Sequence, residues 1–205
     1  MSIVLNNISK RFDSIEVLKN LNLTIPHGQI TCILGSSGIG KTTLLNILLG
    51  LIRADSGDVE GLEGKKIVAV FQEDRLVENL SSIKNVQLAC SKKTTRKDLI
   101  DDFARVGLEG FEDKPVSELS GGMKRRVAII RAVFVDSDVI VMDEPFKGLD
   151  VKLKSKVIEY IRDKTRGKTV IIVTHSLEEV EELKANKVEL NFTKNSHNVI
   201  MNKYQ

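Results

Sequence analysis

Gly35-Ser36-Ser37-Gly38-Ile39-Gly40-Lys41-Thr42-Thr43 is the stretch whose reading decides the fold. It follows the apolar run Ile30-Thr31-Cys32-Ile33-Leu34 and precedes Leu44-Leu45-Asn46-Ile47-Leu48-Leu49, which predicts a strand, a glycine-rich loop and a buried helix. A loop of this composition in that setting binds phosphate. Its three glycines let the backbone take positive φ, so successive N–H groups point at phosphate oxygens. The helix starting near Lys41 adds unpaired amides and the positive end of its dipole. Lys41 supplies an ammonium for the β- and γ-phosphates, the Thr42 hydroxyl can ligate an accompanying Mg²⁺, and Thr43 reaches the α-phosphate.

The 205 residues carry 31 Lys and Arg against 28 Asp and Glu, and a net charge of +3 makes no electrostatic case for direct binding of nucleic acid. Cys32 lies within the apolar run and Cys90 far from it, a usage that suits a reducing cytosol. Met1 to Ser9 does not read as a signal peptide. The longest apolar region, Leu44 to Ile52, is interrupted by Asn46 and Gly50 and falls short of the roughly 20 residues that cross a bilayer. Any membrane role therefore comes through a partner.

Upstream of the loop, Ile3, Leu5, Ile8, Val17, Leu21, Leu23 and Ile25 mark half-buried antiparallel strands. Phe12, in their connection, is placed either to stack on a nucleotide base or to pack at a strand end. Pro26-His27-Gly28-Gln29 reads as a turn. Downstream, Asp55-Ser56-Gly57-Asp58 reads as punctuation before the short strand Lys66 to Phe71. Gln72 follows at the strand's C-terminal end, where it can reach a metal or a water.

From about residue 76 to 119 the pattern turns polar and helical (Ile83, Val86, Leu88, then Leu99, Ile100, Phe103, Val106), with Ser91 to Lys97 as a basic solvated linker. This segment reads as a small helical lobe inserted into the sheet domain. Leu119-Ser120-Gly121-Gly122 then opens a helix to about Phe134, with Ser120 as N-cap and bare backbone at its positive end. That is either a second anion site or an ordinary capped helix start.

The apolar run Val139 to Met142 delivers Asp143 and Glu144 to the same sheet edge as the phosphate loop. Asp143 can hold Mg²⁺ through water, and Glu144 can orient and polarise an attacking water. Another helix follows Asp150, then a core strand from Thr169 to Thr174 with His175 just past its end, a candidate sensor of the γ-phosphate. Glu178, Glu179, Glu181 and Glu182 read as a solvated helical face. The tail reads as two strands, Lys187 to Phe192 and Asn198 to Met201, around Asn195-Ser196-His197.

Taken together, residues 35–43, Gln72, Leu119-Ser120-Gly121-Gly122, Asp143-Glu144-Pro145, Leu149-Asp150 and His175 resemble, in order and over nearly the whole chain, the nucleotide-binding subunit of ATP-binding cassette (ABC) proteins. The resemblance implies one α/β domain over residues 1–205: a phosphate-loop NTPase core sheet, an N-terminal antiparallel β lobe and the inserted helical lobe. It implies ATP hydrolysis with Mg²⁺, Phe12 on the base, and a catalytic group of Glu144, His175 and Gln72. It also implies head-to-tail pairing of two cassettes, with Ser120, Gly121 and Gly122 touching the nucleotide held by the other subunit. Transmembrane permease subunits would hold the cassette on the inner face of the cell membrane, and 205 residues leave no room for a C-terminal regulatory domain. Phe71 to Leu76 and Asp143 to Phe146 are similar to the nitrate, sulfonate and taurine importers.

Met123 and Lys147 depart from the family pattern, which usually has Gln at the first position and small side chains near the second. A soluble ABC ATPase acting on nucleic acid or ribosomes is the alternative; such relatives carry long coiled coils or two cassettes. A GTPase or small-molecule kinase fits less well. Asp58-Val59-Glu60-Gly61 follows a turn rather than a strand, and Asn186-Lys187-Val188-Glu189 lacks the Asp that would read guanine.

Overall fold

A computed structural model describes residues 1–90, 94–192 and 197–202. The chain runs through β1 (Ile3–Phe12), β2 (Ile15–Ile25), β3 (Ile30–Leu34), α1 (Lys41–Leu48), β4 (Ser56–Glu60), β5 (Ile67–Val70), α2 (Ser82–Gln87) and α3 (Arg96–Arg105). A 3-10 turn at Val116–Glu118 leads to α4 (Gly121–Phe134), β6 (Val139–Asp143), α5 (Val151–Lys164), β7 (Thr169–Val173), α6 (Leu177–Leu183), β8 (Asn186–Phe192) and β9 (His197–Asn202).

Two sheets result. The larger has the order β5-β6-β7-β3-β8-β9, parallel except for the edge strand β9, and the smaller is antiparallel with the order β2-β1-β4. The parallel strands are apolar on both faces because both faces are covered. Cys32, Ile140, Met142, Val170 and Ile172 pack toward the helices α2 to α5. Their alternate neighbours Ile33, Val141, Ile171 and Val173 pack toward α1 and the antiparallel lobe.

This topology brings four strand ends side by side. β5, β6, β7 and β3 end respectively at Gln72, at Asp143 and Glu144, at His175 and at the phosphate loop. Parallel α/β sheets bind ligands at that edge, because the loops leaving it open onto a common crevice.

Several expectations are corrected. Ser56 to Asp58 is not a turn but part of β4, paired with β1 through Asn6↔Asp58 and Ser9↔Ser56. An edge strand has one solvated face, so it needs few apolar residues, and its polar sequence hid it. Gly57 is required there: its φ is +85°, and a Cβ would lie 2.4 Å from the Asn6 carbonyl. Asp58 therefore sits within a strand of the antiparallel sheet, bonded by the Asn6 amide at 3.1 Å, not at the end of a parallel strand. The alternation in β1 and β2 is interrupted where Asn7 and Asn20 take left-handed φ, so Leu18 rather than Val17 enters the core. Asn tolerates that conformation better than most residues.

Residues 91–93 of the expected linker lie outside the described residues, but Thr95 to Lys97 begin α3, where Thr95 and Asp98 form a reciprocal capping box. Leu88 and Ile100 are exposed, not core. Glu179 is buried, its carboxylate accepting from the Thr174 hydroxyl and lying 3.3 Å from Lys154 Nζ, so the acidic face of α6 is only partly solvated. Residues 195–196 lie outside the described residues, and His197 opens β9.

Candidate functional site

The phosphate loop connects β3 to α1, the pair predicted from its flanks. Gly40 precedes α1 with φ +100°, and a Cβ there would meet the Val17 carbonyl at 2.9 Å and Leu18 Cδ2 at 2.8 Å. The residue must be glycine both for its dihedral and because β2 passes directly against it. Lys41 is buried and folds back, donating to the Gly35 carbonyl at 2.7 Å and the Ser36 carbonyl at 2.9 Å. Burial lowers its pKa, while the carboxylates of Glu144 and Asp143 act in the opposite direction.

The Thr42 hydroxyl donates to Asp143 Oδ2 at 3.0 Å, joining α1 to the end of β6. Burial pushes the Asp143 carboxyl up; the Thr42 bond and the nearby Lys41 and Arg125 oppose that rise. Gln72 borders the same cavity, of about 230 Å³, as Lys41, Thr42, Thr43, Asp143, Glu144 and His175. Hydroxyl, carboxylate and amide oxygens are the donors a hard divalent cation takes. The Thr42, Asp143 and Gln72 oxygens around this cavity are of the kind that fits Mg²⁺.

Glu144 adopts φ +48° and turns its carboxylate between the His175 ring and the Lys147 ammonium. His175 Nε2 lies 2.9 Å from Oε1, and Lys147 Nζ lies 3.0 Å from Oε2. Burial alone would raise the Glu144 pKa, but Lys147 and His175 outweigh it and hold the carboxyl below its ordinary value. A second cavity of about 440 Å³ adjoins this pair, and a third of about 280 Å³ lies between β2 and the loop, lined by Val17, Ser36, Gly38 and Ile39 among others; Ser37 borders all three.

Of the predicted site residues, the structure thus gathers Ser36 to Thr43, Gln72, Asp143, Glu144 and His175, with Gly35 as a carbonyl anchor for Lys41. Phe12, at the exposed end of β1 with the Lys10 ammonium 5.5 Å from its ring centre, borders none of these cavities. Ser120, Gly121 and Gly122 open α4 away from them, with the Ser120 side chain capping the Met123 N–H. Ser120 and Gly121 are exposed there and Gly122 is half-buried.

Three contributors were not read from the sequence. Val17 lines the phosphate cavity. Lys147, noted only as a departure, is an ion-pair partner of Glu144. His197 is buried on β9; its Nδ1 accepts from the Lys19 N–H at 3.0 Å, so the Nε2–H donates to the Ile39 carbonyl at 3.1 Å and ties the loop to β2 and β9. No local pattern marks a histidine for that contact.

The family model described as ABC transporter matches residues 18–147. A taurine import ATP-binding protein of Roseobacter denitrificans is 40% identical over 194 residues, 85% of this chain and 72% of the relative. A spermidine/putrescine import ATP-binding protein of Mesoplasma florum is 35% identical over 204 residues, 91% of this chain but 58% of the relative. The chain thus spans little more than half the length of the polyamine relatives it matches. Among solved structures, the dimeric MJ0796, a bacterial ABC transporter cassette, superposes with a TM-score of 0.80 at 30% identity, covering 91% of this chain and 93% of its own. A dimeric post-hydrolysis state of the same cassette bound to ADP and Pi gives 0.82 at 29% identity over 99% of both chains. Fold, motif order and relatives agree, and the chain belongs to the ABC transporter family of ATP-binding cassettes.

Proposed function

We propose that this chain is the ATP-hydrolysing subunit of a membrane importer, acting as a head-to-tail dimer that closes on ATP. The observation that carries the reading is the convergence of Lys41, Thr42, Gln72, Asp143, Glu144 and His175 on one cavity at the ends of four adjacent strands.

ATP enters along the loop, whose N–H groups and α1 dipole take the phosphate charge. Lys41 leaves the Gly35 and Ser36 carbonyls for the β- and γ-phosphates, a switch between two acceptor sets within one side chain's reach. Thr42, Gln72 and Asp143 would hold Mg²⁺, which when bound neutralises phosphate charge. Glu144 orients the attacking water and accepts its proton, while His175, beside Oε1, holds the carboxylate and faces the γ-phosphate. Phe12 takes the base. Ser120, Gly121 and Gly122 of the second subunit complete the phosphate site, a role in keeping with the exposure of Ser120 and Gly121 outside their own cavity.

The helical lobe at about 76–119, set within a single domain of residues 1–205, docks a permease, and this places the cassette on the inner face of the membrane. Among the described residues no helix is long and apolar enough to cross a membrane. Relatives are named for import of polyamines and of taurine, compounds of unlike charge, so substrate choice resides in the permease rather than in this cassette.

Capture tests the reading. Tagged E144Q protein with Mg-ATP, applied to gently solubilised membranes of the source cell, should retain a polytopic permease identified by mass spectrometry. Recovery of ribosomal or nucleic-acid proteins alone would replace the importer by a soluble ABC ATPase.

A further inference from the structure

Arg125, in the second turn of α4, is buried, and its guanidinium gathers three parts of the site. Nη1 donates to the Phe71 carbonyl at 3.0 Å and reaches the Asp143 carbonyl at 3.5 Å, and Nη2 donates to the Gln72 carbonyl. Nε lies 2.8 Å from Asp74 Oδ1 as an ion pair without hydrogen-bond alignment, so the carbonyls supply the directional part of the grip. Farther along the same helix, Arg131 donates to the Asp74 carbonyl at 3.1 Å and the Arg75 carbonyl at 3.0 Å. The Arg75 guanidinium in turn covers the Phe71 ring at 3.7 Å. Four of the five backbone carbonyls between 71 and 75 are therefore held by α4.

The Gln72 side chain is left to face Thr42 and Asp143 in the cavity they share, while its backbone position is set by the arginine. We propose that Arg125 is a positioning residue for hydrolysis: it fixes Gln72 beside the Thr42–Asp143 pair and makes that placement follow α4, whose N-terminus carries Ser120-Gly121-Gly122. The proposal rests on the reading of Gln72 given above. A planar fork is needed because two carbonyls on adjacent residues and one on a neighbouring strand must be met at once. A lysine offers a single point charge in their place.

The test uses purified R125M, R125K, Q72A and the R125M/Q72A double variant. R125M and R125K should each lower kcat about tenfold while KM for ATP stays within about twofold, and the double variant should be no slower than the slower single variant by more than about twofold. Amide hydrogen exchange of residues 71–76 should rise in both arginine variants with α1 unchanged, a readout independent of turnover. If R125M does not fold, R125K carries the kinetics and the exchange. Q72A with normal kcat would overturn the reading of Gln72 and the proposal with it. Q72A slowed as expected, with unaltered exchange at 71–76 in R125K or with losses that multiply in the double variant, would overturn the positioning role alone.

Discussion

Thr42 and Asp143, 101 residues apart in sequence, are joined by a hydrogen bond of 3.0 Å from hydroxyl to carboxylate. That bond fixes the first turn of α1 against the end of β6 and leaves oxygens of both residues beside Gln72. Removing the carboxylate should matter far more for turnover than for nucleotide binding. Asp143→Asn is expected to lower Mg-dependent ATP hydrolysis at least about 100-fold, while binding of ATP in the absence of divalent ions stays near wild type. Steady-state turnover and equilibrium binding in EDTA check the two halves.

Lys41 rests on two carbonyls of its own loop, so its loss removes the cation that must move to the phosphates. Lys41→Ala should weaken ATP binding about ten- to a hundredfold, the equivalent of a charge-assisted contact of about 1.5–3 kcal/mol. Titration of a fluorescent ATP analogue measures it; an unchanged Kd would contradict the role.

Gly40→Ala should fail for two separable reasons, the positive φ and the approach of Val17 and Leu18. The expected cost is about 2 kcal/mol or more of stability, together with loss of nucleotide binding. By contrast, a Cβ at Gly121 meets nothing within 4 Å, so Gly121→Ala should leave the melting temperature of the isolated chain unchanged. Thermal unfolding of the two variants side by side distinguishes a steric requirement from a general intolerance of side chains.

These pairs also separate what the sequence made legible from what it hid. The phosphate loop, Gln72, Asp143, Glu144 and His175 stood out because each follows a short apolar run, and parallel strands deliver their C-terminal ends to one edge whatever their order. Ser120 was readable as a cap because its oxygen serves an N–H three residues on, a local contact. β4 was not readable, since an exposed edge strand carries no apolar alternation. Nor were Arg125 and His197, because their partners are backbone carbonyls and N–H groups that every residue offers. Glu179 was misread for a related reason: the helix pattern gave its face, but Thr174 and Lys154, which make its burial tolerable, come from β7's end and α5.

Glu179, which borders the cavity beside Glu144 and His175, serves as a probe of stability, read by unfolding rather than by turnover. Glu179→Ala strips Thr174 and Lys154 of their acceptor and should cost about 2 kcal/mol, lowering Tm by roughly 4–8 °C for a domain of this size. Glu182→Ala, on the exposed face of the same helix, should stay within about 0.5 kcal/mol of wild type. Equal losses in both variants would contradict the buried pairing.

Glu144, held between His175 and Lys147, is the residue on which turnover and the closed dimer both depend in this account. The most direct test is light scattering of E144Q after gel filtration in saturating Mg-ATP, with its turnover measured on the same sample. The expected species is a dimer of twice 22.8 kDa that retains ATP and hydrolyses it at least about 100-fold more slowly than wild type. A monomer at saturating ATP, or a dimer that turns over at the wild-type rate, would contradict it.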